Sequence, residues 1–180
     1  MMNKPLVAYF SASGTTAKAA SLLAQAAKAD IYEIVPKTPY TRADLDWTDP
    51  SSRTTKEKNV PSFRPAIGGK SIDVSPYDTI YLGFPIWWYT APSIIKTFLE
   101  SHDFSGKTII LFATSGGSGL GSTDKDLQPS CPGATIKSGK LLNGRQTVES
   151  VAKWMNSFKQ SANTMPKASP AARTGKLLFV

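Results

Sequence analysis

The chain has 180 residues, 41% of them hydrophobic and 19% charged, with 21 Lys+Arg against 13 Asp+Glu and a formal net charge of +8. That length fits one domain able to bury a full core, and the apolar fraction excludes intrinsic disorder. The longest purely apolar stretches, such as Ile109–Ala113, fall far short of the roughly 18–20 residues that span a bilayer, which excludes a transmembrane protein.

The opening residues Met1–Pro5 lead into a short β-like run, with no charged segment and long apolar core of the secretory kind. Cys131 is the sole cysteine and His102 the sole histidine. No internal disulfide can form, no zinc set can be completed, and a cytoplasmic setting is expected. The positive charge is scattered. Lys56 and Lys58 form the closest basic pair, with Glu57 between them, and there is no basic stripe to track a nucleic acid.

In chain order, Leu6–Phe10 reads as a buried strand, followed by the small polar cluster Ser11–Thr16 and an Ala/Leu-rich helix from about Thr16 to Lys28. Ile31–Val35 is a second strand, closed by Pro36. From residue 37 to 76 the pattern dissolves, with one helical turn expected around Arg42–Leu45; so long a stretch implies an unplaced helix or a loop over a site. Trp47, Arg53 and Arg64 lie within it, either to cover a ligand or recruit an anionic partner, or as part of a solvated loop in which Trp47 packs locally.

Order returns at Tyr77–Phe84, a strand stopped by Pro85. A helix should begin near Pro92 with Ile94, Ile95, Phe98 and Leu99 on one face. Lys107–Ala113 is the next strand, Ser122–Leu127 a short helix and Ala134–Leu142 the last strand. Thr147–Phe158 forms a closing helix with Val148, Val151, Met155 and Phe158 inward. Alternating strands and helices predict an α/β domain with a parallel sheet over residues 1–159, followed by a flexible or appended tail over 160–180.

Ligands of an open parallel sheet bind outside the carboxyl ends of its strands, and three segments leave strands at that end. Ser11, Ala12, Ser13, Gly14, Thr15 and Thr16 can offer backbone N–H groups and up to four hydroxyls to one anion at a helix N-terminus. The segment matches neither a nucleotide triphosphatase loop nor the dinucleotide fingerprint, and plain helix capping is its structural alternative. Pro85, Ile86, Trp87, Trp88 and Tyr89 hold three consecutive aromatics, too many for one loop to bury, so one should face solvent or a planar ligand. Thr114, Ser115, Gly116, Gly117 and Gly119 make a side-chain-poor loop that lets a ligand approach closely.

A hydroxyl loop after the first strand, an aromatic loop after the third and a glycine loop after the fourth resemble the flavodoxin family over nearly all of residues 4–159. The resemblance implies a doubly wound five-stranded parallel sheet of order 2-1-3-4-5 with helices on both faces, and FMN as cofactor. It implies that Ser11, Ser13, Thr15 and Thr16 hold the FMN phosphate and that Pro85–Tyr89 and Thr114–Gly119 frame the isoalloxazine ring. No side chain need act as catalytic acid or base. Familiar flavodoxins are acidic and frame the flavin with Asp, Glu and Tyr, whereas here the second ring loop is neutral; this should leave the fully reduced flavin more accessible.

The expected function is a redox protein carrying electrons through FMN, with an NAD(P)H- or quinone-dependent oxidoreductase as the alternative and a non-flavin phosphate-binding module behind it. A hydrolase using Ser13 or Ser115 with His102 lacks a Gly-x-Ser-x-Gly elbow. The expected partner is a redox protein with an acidic docking face, or a small anionic acceptor, with no nucleic acid and no membrane.

Overall fold

Short apolar runs stopped by Pro, Gly or polar clusters become the strands of one sheet. The structure, a computed structural model, describes residues 3–164, with side chains through Phe158. In chain order come β1 (Leu6–Tyr9), α1 (Thr15–Ala27), β2 (Asp30–Glu33), β3 (Val35–Pro36), α2 (Arg53–Asn59), β4 (Ile67–Gly68) and β5 (Thr79–Pro85). They are followed by α3 (Ser93–Glu100), β6 (Thr108–Thr114), α4 (Thr123–Leu127), β7 (Thr135–Leu141) and α5 (Val148–Thr164).

Five strands form the main sheet in the order β2-β1-β5-β6-β7, and every pairing is parallel. With the short antiparallel ribbon β3–β4 left out of the count, this is the expected 2-1-3-4-5 order. The winding reverses between β1 and β5, so a crevice opens above their carboxyl ends.

Side chains alternate across each strand and divide the core in two. Leu6, Ala8, Leu82, Ile109 and Leu111 face α3 and α4, whereas Val7, Tyr9, Tyr81, Ile110 and Phe112 face α1 and α5. Ile94, Ile95, Phe98 and Leu99 of α3 are all buried, as their spacing predicts. At roughly 1.5–3 kcal/mol for each buried side chain, that face alone anchors the helix. Thr147 caps α5 reciprocally: its hydroxyl accepts from the Ser150 amide at 3.0 Å, and the Ser150 hydroxyl accepts from the Thr147 amide at 3.0 Å. The backbone of α5 runs on to Thr164, past the expected end at Phe158. The remainder of the expected tail, residues 165–180, lies outside the described residues.

The excursion between residues 37 and 76 holds more structure than its composition suggests. The turn at 42–45 is present, closed by the Leu45 amide on the Thr41 carbonyl at 3.2 Å. The chain then adds α2 and the β3–β4 ribbon. α2 is seven residues long, without an apolar stripe, and the Ser52 side chain caps it by accepting from the Thr55 amide. Tertiary contacts hold it in place. The Tyr40 hydroxyl donates to Glu57 at 2.7 Å, Arg53 pairs with the same carboxylate at 2.9 Å, and the Arg53 guanidinium lies 3.7 Å from the Tyr40 ring centre. Burial and the Glu57 carboxylate drive the Tyr40 phenol strongly upward in pKa, so the hydroxyl stays protonated and donating. Tyr40 in turn meets Trp87 edge-on at 5.3 Å, which ties the excursion to the aromatic loop.

Candidate functional site

Residues 11–16 turn sharply from β1 into α1 because Gly14 takes a φ of 93°, which L side chains rarely adopt. The Ser11 oxygen accepts from the amides of Gly14 at 3.1 Å and Ala17 at 3.2 Å, so its own proton remains available to an incoming acceptor. The hydroxyls of Ser13 and Thr15 lie 3.4 Å apart on the exposed rim. The amides of Thr15 and Thr16 open α1 and have no acceptor within the helix. A dianionic phosphate fits this donor set, and the axis of a 13-residue helix points at it.

Two members of the expected phosphate loop turn inward. Ala12 packs against the core, and the buried Thr16 hydroxyl bonds the buried Thr114 hydroxyl at 2.8 Å. That contact joins the start of α1 to the end of β6, so Thr16 and Thr114 brace the first and third loops against each other.

The aromatic loop leaves β5 at Pro85, which pairs in register with Thr114. Its Ile86 amide donates to the Thr114 carbonyl at 2.9 Å. Trp87 and Thr90 then exchange both backbone hydrogen bonds, at 2.9 and 3.2 Å, around Trp88 and Tyr89. The two central residues have φ of 55° and 67°. Positive φ at both positions is the signature of a type I′ turn, which Asn and Gly ordinarily occupy. Held in this way, Tyr89 remains 53% exposed. Trp87 packs edge-on against Phe10 at 5.4 Å.

In the third loop the Ser115 amide donates to the Asn143 side chain at 2.8 Å, and the Ser115 hydroxyl accepts from the amides of Gly117 and Ser118. The expected serine therefore shapes its own loop. Asn143, which follows β7, is an anchor that no local motif advertises.

Ile86, Trp87, Trp88 and Tyr89 face Ser115, Gly116, Gly117 and Ser118 across one cavity of about 590 Å³. Leu45, Trp47, Thr54 and Lys58 of the excursion complete the wall. Trp47 is 69% exposed and lines the cavity. Arg53 and Arg64 serve structure instead, bound to Glu57 and Glu100 respectively. Gly119 is exposed and outside the lining, and Ser11–Thr15 adjoin at the end of β1 without lining it.

A larger hollow of about 700 Å³ opens at the opposite end of the sheet, beside the C-terminus of α3. Its charges are already satisfied: Arg64 grips both oxygens of Glu100 at 3.1 and 3.0 Å, and Ser130 donates to Glu100 at 2.8 Å. His102 lies there too, with its ring nitrogens 3.1 and 3.0 Å from the carbonyls of Phe98 and Ile72. Ser13 and Ser115 follow the far ends of β1 and β6, so the His102 hydrolase alternative has no geometry. Cys131 is buried, and burial pushes its thiol up to about 11, which makes it a packing residue rather than a nucleophile.

Among the described residues, no helix is long and apolar enough to cross a membrane. No curated protein matches the chain. Among solved structures, a protein from Bacteroides uniformis ATCC 8492, provisionally described as a flavoprotein, is 51% identical, with a TM-score of 0.81 over 87% of this chain and 99% of its own. Another from Bacteroides eggerthii DSM 20697, described in the same way, is 46% identical, with a TM-score of 0.81 over 87% of this chain and 98% of its own. A flavoprotein from Lactobacillus acidophilus NCFM in complex with FMN shares the fold at 24% identity, with a TM-score of 0.64 over 85% of this chain and 99% of its own. The flavodoxin family model matches residues 4–158, the span that holds the whole sheet and all three loops, and the chain belongs to the flavodoxin family.

Proposed function

We propose that the protein binds FMN and works as a redox protein that carries electrons through it. The observation that carries this reading is the convergence of a hydroxyl-and-amide cradle, an aromatic turn and a glycine loop at the carboxyl ends of β1, β5 and β6. Bound FMN supplies the redox chemistry through its isoalloxazine ring.

The protein's own part is to bind, orient and shield. Ser11, Ser13, Thr15 and the first-turn amides of α1 hold the phosphate without a cation. Trp87, Trp88 and Tyr89 offer faces and edges to the ring, and the small residues at 115–118 let its polar edge approach backbone amides. The brace between Thr16 and Thr114 fixes the distance between the phosphate and ring ends of the site.

The purified protein should be yellow, or become so on addition of FMN, and should retain flavin through gel filtration. Charge-assisted hydrogen bonds contribute roughly 1.5–3 kcal/mol each. Ser13→Ala combined with Thr15→Ala should therefore weaken FMN binding on the order of tenfold or more, and leave riboflavin, which lacks the phosphate, unaffected. Equal loss for both ligands in equilibrium dialysis would place the phosphate elsewhere.

A second reading, an NAD(P)H- or quinone-dependent oxidoreductase, draws support from the wall that Leu45, Trp47, Thr54 and Lys58 add to the cavity. A volume of about 590 Å³ is within the range of small-molecule sites. Stopped-flow reduction by NADPH separates the two: fast direct reduction of bound flavin identifies an enzyme, and none identifies a carrier served by a separate reductase.

A further inference from the structure

The ring cavity contains one charged side chain. Of the residues that line it, Lys58 alone carries charge, and no carboxylate faces in. Its ammonium lies 4.0 Å from the centre of the Trp88 ring, and no carboxylate forms an ion pair with it among the described residues. The nearby acids are engaged elsewhere. Glu57, its neighbour on α2, is buried against Tyr40 and Arg53. Asp126 accepts from Thr90 at 2.7 Å and Lys96 at 3.2 Å; it lines, with Glu57 and Lys58, a smaller cavity on the other side of Trp87 and Trp88. The left-handed backbone at Trp88 fixes the ring on which Lys58 rests, and the Tyr40–Glu57–Arg53 cluster fixes the helix that carries it. Lys58 is therefore a positioned cation, held by an aromatic face and without an ion-pair partner among the described residues.

We propose that Lys58 is the charge-setting residue of the ring site, favouring the anionic reduced flavin over the neutral oxidised one. The inference rests on the FMN reading and adds a residue that acts through charge rather than through binding area. A unit charge a few ångströms from a developing anion, in the intermediate dielectric of a protein surface, is worth one to two powers of ten in an equilibrium constant. Lys58 is exposed, and solvent screening sets the expectation at the lower end.

The experiment compares dissociation constants for oxidised and dithionite-reduced FMN, together with the two-electron midpoint potential, in the full-length protein. For Lys58→Met the preference for reduced FMN should fall about tenfold, equivalent to a midpoint about 30 mV lower. Lys58→Arg should restore it. Lys56→Met removes the same charge from a position outside the cavity lining and should leave the preference unchanged. Added salt should lower the midpoint of the unaltered protein and hardly move that of the Met variant. A Met variant that binds flavin with the unaltered preference overturns the role of Lys58 and leaves the FMN reading standing. Failure of the unaltered protein to bind FMN overturns both.

Discussion

The hydroxyls of Thr16 and Thr114 satisfy each other in a place that water does not reach. Removal of one leaves the other buried and unpaired, at a cost of roughly 1–3 kcal/mol. Removal of both restores balance. Thr16→Val and Thr114→Val should each lower the urea midpoint of the apoprotein, and the double variant should lose less than the sum of the two. Cys131 allows a second test, with the sign set by its raised pKa. Below the ordinary thiol value of 9.0 both folded and unfolded chains keep the proton. Between about 9 and 11 the unfolded chain releases it while the folded chain does not, so stability declines as pH rises through that window. The decline should be on the order of 1–2 kcal/mol, and Cys131→Ala should remove it. Denaturation curves at pH 8 and pH 11 check this, because the tyrosines titrate in both proteins and cancel in the comparison. The candidate residues readable from sequence are those marked by their local setting. Ser11, Ser13 and Thr15 sit where a strand becomes a helix, and Trp87 to Tyr89 announce themselves by adjacency. Lys58 and Asn143 do not, because each reaches the site from an element that only tertiary packing brings near.

At the scale of elements, the strongest local departure is the turn that holds Trp88 and Tyr89. A left-handed conformation costs an L residue about 1–2 kcal/mol. Tyr89→Gly and Tyr89→Ala both remove the side chain, but only glycine accepts the backbone without strain. The Gly variant should therefore be the more stable by about 1 kcal/mol, in reverse of the usual order, as thermal unfolding of the pair will show. A turn that favours Asn-Gly and carries Trp-Tyr instead marks a site where aromatic surface was kept in spite of backbone preference. Elements with a strong apolar pattern were legible, α3 by the 3-4 spacing of its buried face and β6 by a continuous apolar run buried on both sides. α2 was not, because its seven residues carry no apolar stripe and its order comes from Ser52, Tyr40 and the buried Glu57. The β3–β4 ribbon has no signature in the sequence for a similar reason: two-residue strands have no period, and one of them ends in proline.

For the molecule as a whole, the sheet order was legible only through the family resemblance that the three unusual loops carry, and the observed order β2-β1-β5-β6-β7 agrees with it. Charge was the least informative property by comparison. Residues 1–159 carry 18 basic and 13 acidic side chains, a net of +5, and the proposed phosphate cradle after β1 uses none of the cations. Under the proposed redox reading, a surplus of that sign would steer an acidic partner. Electron exchange with an acidic redox protein should slow as ionic strength rises, whereas exchange with a neutral quinone should not; second-order rates at low and high salt distinguish them. A last consequence follows from where the indoles lie. Trp47, Trp87 and Trp88 all line the ring cavity, while Trp154 packs against Tyr81 and Phe158 on the other face of the sheet. The intrinsic emission of the protein is thus divided between three reporters at the site and one remote reference. Ligand entry should dim the first group by energy transfer and leave the last comparatively bright, so the molecule carries its own optical gauge of occupancy.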